Sequence, residues 1–526
     1  MNMGVKWPTK LLVLRGILVV VGGFLVTLTL GSMYTIGNVA PYIVSYIRNQ
    51  SHPSDLRQAT ASWIYACTVT GLGCTAFIGG LLVNKIGPRL TTLLGGWIMS
   101  IGVILTYFTL KMSFWMVLLT YGVVVGIGMG LAYTAPLSAA MKWMPKWKGL
   151  ANGVVMSSLG LGALVFNPAQ TLYVNPHDVP SVPDPYEDDK KFFTDPELIE
   201  RVPNMFLILG VINAVMQLIG SLLITNPPSS YLTETSASLN SEDIDITNDK
   251  ICEVDDAQFY KCCTQHTSAL VSQSTNSRVD DHHSHDSKPI NAEVISHSES
   301  ERQHLLLDKE KIEEAASKNH TARNAVTRHM VVDLTPLQVL RKPNFYILWV
   351  IFLCNGIAVM FMNTLYKFFG NSFINNDDFL AAVGSTAAVF SCLGRIFWGL
   401  VADRVSYKFA LVLLLATMTV FTLTFYSCEK GGEAMFFVWV CVILFCVGGI
   451  SVFPTAVGKA FGLKHVATNY GMLFTSQIVA GVLGATVSSM LISRIGYYGV
   501  LFIVGGFDCI GFILTLLYRP KIYIVK

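Results

Sequence analysis

Charge is scarce in this chain. Of 526 residues, 13% are Asp, Glu, Lys or Arg and 52% are hydrophobic, and the mean hydropathy is +0.51. A soluble domain carries about 25% charged residues, so a water-facing globule is excluded and repeated crossing of a bilayer is implied. Cysteine is present but unpatterned: eleven residues are scattered without paired CxxC spacings, and Cys262-Cys263 is the one close pair. That argues against a disulfide framework or a zinc site and reads the cysteines as small apolar residues. No signal-peptide core is expected, because the first apolar run, Leu11 to Ile47, is long enough to span. No nucleophile motif, metal cage or phosphate loop appears, so neither an enzyme nor a cofactor or nucleic-acid partner is expected. The formal net charge of +3 says less than where the positive residues lie.

About 20 apolar residues cross ~30 Å of hydrocarbon as a helix. Six segments qualify in the first half, at 15–46, 62–83, 90–110, 114–140, 149–172 and 204–225. Six more follow at 345–369, 379–401, 409–426, 434–457, 470–492 and 497–517. The expected architecture is an all-α membrane protein of twelve transmembrane helices in two six-helix pseudo-repeats, residues 1–225 and 342–526. A polar tract, 226–341, separates them. It is rich in Ser, Asp, His and Glu and reads as cytosolic and disordered.

Lys and Arg in short loops set the orientation. Lys6, Lys10, Arg15, Lys85, Arg89, Lys142, Lys146, Lys148, Arg404, Lys408, Lys459, Lys464, Arg519, Lys521 and Lys526 all fall on one side. The longest opposite loop, 173–203, is acidic, with Asp184, Glu187, Asp188 and Asp189. Both termini are therefore expected in the cytosol. Asn49-Gln50-Ser51 then falls outside, as a glycosylation acceptor at Asn49 or a chance triplet.

The halves repeat each other. Gly80 to Arg89, GLLVNKIGPR, follows the second span, and Gly399 to Lys408, GLVADRVSYK, follows the eighth. Tyr133-Thr-Ala-Pro136 is echoed by Phe453-Pro454-Thr455, and Gly153 by Gly471. Between the two glycine-led runs, in Ser385 to Arg404, stands Arg395. A guanidinium costs at least ~2.5 to 3.5 kcal/mol near the bilayer centre, so it must face protein, water or an anion. Receiving a carboxylate substrate is one reading. A structural arginine paired with loop carboxylates at the inner face is the other.

Two blocks carry a family resemblance. The first runs Gly126-Ile-Gly128-Met-Gly130-Leu-Ala-Tyr133-Thr-Ala-Pro136, then Lys142-Trp143-Met-Pro145-Lys-Trp-Lys148-Gly149-Leu-Ala151-Asn-Gly153, then Gly160-Leu-Gly162 and Pro168. The second is Gly394-Arg395 with Gly399 and Asp403-Arg404. The chain resembles the major facilitator superfamily, in its oxalate:formate antiporter and monocarboxylate transporter branch, over nearly everything outside the central tract. Two departures matter. The acidic-Gly-Gly-Trp opening of classical monocarboxylate transporters is absent around Arg15 to Gly23. Gln477 stands where oxalate antiporters resemble GxxYTAK with its lysine. One cation suits a monoanion, since a second buried carboxylate without a partner costs several kcal/mol.

The resemblance implies alternating-access transport of a small organic anion, a monocarboxylate of the pyruvate, lactate or formate type, with exchange open as a mode. It implies a midplane cavity in which Tyr34, Asn38, Tyr133, Asn363, Tyr366, Phe453 and Gln477 join Arg395, each with helix packing as its other role. Asn84, Lys85 and Arg89 with Asp403, Arg404 and Lys408 are the expected conformational latches; Asn84 replaces the usual aspartate and makes the first latch the weaker. Lys367 is either a vestibule cation or an interfacial one. Asp508, the one carboxylate deep in an expected span, is either a proton site or a neutral packing group. In the central tract, Glu301 with Leu305 and Leu306 matches an acidic dileucine signal read by clathrin adaptors, which would place the protein in plasma or endosomal/lysosomal membranes. Asp280 to Asp286 reads as a solvated polar run rather than a metal site, and Cys262-Cys263 as a minor palmitoylation option. The competing functions are a carrier for another solute, such as an amino acid or drug-like molecule, and a non-transporting receptor or scaffold built on the central tract.

Overall fold

A computed structural model of the chain describes residues 9–50, 56, 58–177, 179, 182–183, 191–228, 231, 251–255, 333–374, 376–519 and 521–525. The chain forms two units. The first joins residues 1–232 to 333–518, and the second joins 233–332 to 519–526. In the second unit, Ile251–Asp255 pairs antiparallel with Lys521–Val525. Alternating Ile, Tyr, Ile and Val suit that pairing, which the all-helical expectation did not include.

The first unit is a helical bundle with ten apolar helical stretches long enough to cross a membrane. Two of the ten, Trp63–Thr109 and Tyr407–Phe461, are each broken by a glycine at positive φ, Gly87 (φ 84) and Gly432 (φ 69). The expected twelve spans follow. Only glycine adopts that geometry cheaply, which lets Gly87-Pro88 turn the chain between helices. We number the spans one (Leu11–Asn49), two (58–86), three (88–109), four (Phe114–Trp143), five (Lys148–Val174), six (Pro196–Leu223), seven (Pro343–Asn371), eight (Asp377–Arg404), nine (Tyr407–Thr424), ten (433–461), eleven (466–495) and twelve (497–517). The end of the bundle that carries the 84–89 and 403–408 loops is termed the basic end.

Some boundaries differ from the hydropathy reading. Span six starts at Pro196, eight residues before the expected Asn204, because the Asp195 carboxylate accepts the Leu198 N–H at 2.9 Å and caps the helix. Its first turns carry Glu197, Glu200 and Arg201, which an apolar window rejects. Span one is not a uniform helix: Gly31–Thr35 is 3-10. Gly31 lies against the Leu159 carbonyl of span five with Gly162 beside it, a fit that no Cβ would allow. Span four holds a π segment at Leu118–Val124, and span ten a 3-10 turn at Gly448–Ser451. Such departures from α geometry mark functional or strained places in long helices.

Both described ends of the central tract are tied to the basic end. Tyr231 donates its hydroxyl to the Trp143 carbonyl at 3.0 Å. On the far side, the Leu334 N–H reaches the Phe461 carbonyl, also at 3.0 Å, and Asp333 accepts the Lys464 N–H. The short helix Pro336–Leu340, opened by a Thr335/Gln338 capping box, leads into span seven.

Candidate functional site

Arg395 on span eight is 4% exposed. Its backbone is gripped by two neighbouring spans. Gly153 of span five lies against its carbonyl, Gly448 of span ten lies against its amide nitrogen, and the Ser451 hydroxyl donates to the same carbonyl at 2.8 Å. The side chain leans toward the N-terminal end of its helix, as long side chains on helices do. That carries it away from the basic end. Nη1 lies against Gly160, with the Cys392 thiol on the same face of that glycine. Gly160 is about 10 Å further along span five than Gly153, at 1.5 Å per residue. The guanidinium thus points toward the middle of the bundle.

Nε and Nη1 of Arg395 are buried with no nitrogen or oxygen hydrogen-bond partner among the described residues, and the Cys392 thiol is the polar group beside them. Leaving buried donors of a charged group unmade costs at least ~1 to 3 kcal/mol. Loop carboxylates do not relieve this: Asp403, two turns further along span eight, is engaged elsewhere. Its Oδ1 and Oδ2 accept the backbone N–H groups of Gly149 and Leu150 at 2.9 and 2.8 Å, and Lys459 lies 3.7 Å from Oδ1. The arrangement around Arg395 is a fixed, desolvated cation with donors to spare, which is chemistry for an anion.

One tyrosine is linked to it, and further aromatic rings pack on that tyrosine. Tyr133 interacts electrostatically with Arg395 and with Tyr34. Its hydroxyl is 3.5 Å from that of Tyr470, and its ring is 5.0 Å from Phe474. Tyr65, near Tyr34, reaches Met360 across the halves at 3.7 Å. Phe453 is fully buried and stands 4.2 Å from Phe352. Gln477 donates to the Phe352 carbonyl at 2.9 Å and closes against Gly356, so it joins spans eleven and seven. Asn38 donates to Thr171 of span five at 3.2 Å. Tyr34 is exposed, and Tyr366 lies half-buried against Gly384. The side chains of Asn363 and Lys367 lie outside the described residues. Tyr65, Phe352, Cys392, Tyr470 and Phe474 were not singled out from sequence. The repeat itself could have pointed to Tyr470, which precedes the Gly471 paired with Gly153.

The loops at the basic end cross between halves in a matched way. Asp403 of the second half holds the first turn of span five, where the helix dipole favours an anion. Asn84 of the first half donates to Thr468 in the first turn of span eleven at 3.0 Å and lies 3.4 Å from His465 Nδ1. Glycines permit the approach: Gly149 touches Gly399, Gly80 touches Thr468, and Gly471 touches Ala76. Asn152 adds a bond to Thr455 at 3.2 Å. Arg89 and Lys408 work within their own halves. They donate to the carbonyls of Leu222 (2.8 Å) and Leu516 (3.4 Å) near the ends of spans six and twelve. Arg404 sits over the Trp147 ring at 5.9 Å, and Lys85 is exposed.

Asp508 is fully buried. Thr422 donates to its Oδ2 at 3.3 Å, and Oδ1 has no partner among the described residues. An apolar cavity of about 410 Å³ opens beside Trp63, Thr70, Cys74, Val123 and Val482, away from Arg395. Asn49 is exposed at the end of Ile36–Gln50. Glu301, Leu305, Leu306, the 280–286 run and Cys262-Cys263 lie outside the described residues.

The Major Facilitator Superfamily profile matches residues 22–459 and 348–524. Apicoplast pyruvate carrier 1 of Toxoplasma gondii is 26% identical over 93% of this chain and 86% of its own length. Monocarboxylate transporter 12-B of Danio rerio is 27% identical over 25% of this chain and 27% of its own. Among solved structures, the proton:xylose symporter XylE superposes with a TM-score of 0.58 at 12% identity, over 98% of this chain and 97% of that one. That likeness shows the fold alone. With twelve spans, two related halves and matched crossing loops, the chain belongs to the Major Facilitator Superfamily of membrane transporters.

Proposed function

We propose that this protein carries a small monocarboxylate of the pyruvate, lactate or formate type across its membrane by alternating access, with Arg395 receiving the carboxylate. The observation that carries the reading is the buried guanidinium with two unpartnered nitrogens, aimed at Gly160 in the middle of the bundle. A bound carboxylate supplies the missing acceptors and cancels the buried charge, so the loaded carrier changes state more readily than the empty one. The neutral Gln477, tied to the Phe352 carbonyl, favours one negative charge over two. The relative named a pyruvate carrier agrees with this size and charge.

The basic end is the cytosolic one in this reading, by the excess of Lys and Arg there. Asp403 with Gly149 and Leu150, and Asn84 with Thr468, are its latches, which part when that side opens. Tyr34, Tyr133 and the Phe352/Phe453 pair seat the carbon skeleton.

The experiment is uptake of labelled pyruvate, lactate, formate and oxalate into liposomes holding the purified protein, with and without internal anion. Saturable uptake of monocarboxylates and not oxalate is expected, and stimulation by internal anion marks exchange. No carboxylate uptake by folded protein overturns the substrate class in favour of another solute.

A further inference from the structure

Cys392 stands one helical turn before Arg395, on the same face of span eight. It is 6% exposed. Its Sγ and the Arg395 Nη1 both lie against the single face of Gly160 where a Cβ would be, and the thiol lies within hydrogen-bonding reach of the guanidinium. No other cysteine among the described residues interacts with an arginine in this way. Cys74, by contrast, is exposed and lines the apolar cavity away from Arg395. The thiol and the guanidinium share one contact surface, so a carboxylate drawn to that guanidinium brings its α-carbon toward sulfur.

We infer that Cys392 lines the carbon-chain side of the anion site, and that a small carboxylate with a leaving group on its α-carbon, seated on Arg395, alkylates it. This rests on the reading of Arg395 as the anion receptor. With iodoacetate, Cys392 Sγ attacks the methylene carbon as thiolate, the C–S bond forms as the C–I bond breaks, iodide leaves, and the thiol proton passes to solvent. No electron carrier is needed. The product, S-carboxymethyl-Cys392, keeps its carboxylate beside Arg395 and occupies the anion seat covalently. Holding the reactants together raises their effective concentration. The neutral iodoacetamide, of nearly the same size, gains nothing from the guanidinium.

The test treats the full-length protein in liposomes with each reagent at pH 8 and follows modification of the Cys392 and Cys74 peptides by mass spectrometry. The expected result is an iodoacetate-to-iodoacetamide rate ratio at Cys392 at least tenfold above that at Cys74, abolished in Arg395→Gln and slowed by pyruvate. Uptake should fall in step with Cys392 modification, and Cys392→Ser should resist that loss. Equal ratios at the two cysteines, a preference that survives Arg395→Gln, or no reaction at Cys392 overturns the inference. If uptake still depends on Arg395 in that case, the anion site stands and only the placement of Cys392 fails. An anion preference at Cys392 without pyruvate protection supports the Cys392–Arg395 pocket and overturns pyruvate as its ligand.

Discussion

The guanidinium of Arg395 rests on Gly160, while the carbonyl of the same residue rests on Gly153, two turns nearer the basic end of span five. One glycine stripe thus receives both the backbone and the charged tip. The first contact sets how closely spans five and eight approach. The second packs the charged tip directly against the backbone of span five.

Gly160→Val should push the guanidinium out of this position. Its added Cβ meets Arg395 Nη1 and Cys392 Sγ, so carboxylate uptake is expected to drop at least tenfold while the protein still assembles and elutes as wild type. Retained uptake at wild-type KM would show that the anion does not approach by that face.

Asp403→Asn should weaken the closed basic end. Hydrogen bonds to a charged group contribute about 1.5 to 3 kcal/mol, and the Asp403 carboxylate accepts two backbone N–H groups beside Lys459. A shift toward the open state of roughly ten- to a hundredfold follows at 1.4 kcal/mol per decade. Asn84→Ala removes only neutral bonds to Thr468 and His465, worth ~1 kcal/mol each, and should shift less. Accessibility of a cysteine placed at Leu150 reads both; equal shifts would contradict the asymmetry.

Much of this was legible in the chain and part was not. Twelve spans followed from apolar runs, because lipid forces backbone groups to bond within helices. The loops that cross between the halves were visible as a repeat, and Arg395 as a charge where charge is costly. The start of span six was missed, since Asp195 caps a helix whose first turns are polar. The 3-10 turns at Gly31–Thr35 and Gly448–Ser451 were invisible too, for they arise from backbone contact with partner spans. Which aromatics pack around Tyr133 also depends on tertiary packing. Phe352 looks no different in sequence from a lipid-facing ring, and Tyr470 is marked only by its place before Gly471.

His465 gives the basic end a pH dependence. Burial first, and then the positive charge of Lys464, hold its imidazole below the ordinary value, against the opposing pull of Asp333. The ordinary value is about 6.5. A group whose pKa is lowered by folding binds more protons when released, so stability falls as pH falls below about 6.5 and levels off under the folded pKa. The neutral ring also accepts from Asn84 at Nδ1, a bond that protonation removes. The melting temperature should therefore drop between pH 7.5 and 5.5, and drop less in His465→Gln. An unchanged slope in the variant would place the sensitivity elsewhere.

Asp508 has one hydroxyl partner and no cation near it among the described residues. Ionising a buried carboxylate so placed carries a large desolvation cost. Asp508→Asn should leave uptake and its pH profile within about twofold of wild type, as an amide of similar shape replaces the acid. Loss of proton dependence in that variant would assign Asp508 to proton coupling.

The central claim is that Arg395 receives the carboxylate. The direct measurement is initial uptake of labelled pyruvate by wild type, Arg395→Lys and Arg395→Gln in liposomes, at matched incorporation and melting temperature. The account predicts saturable uptake in wild type, a large rise in KM in Arg395→Lys, where the planar fork is lost, and no uptake above empty liposomes in Arg395→Gln. Wild-type uptake by folded Arg395→Gln would contradict it and make the arginine structural.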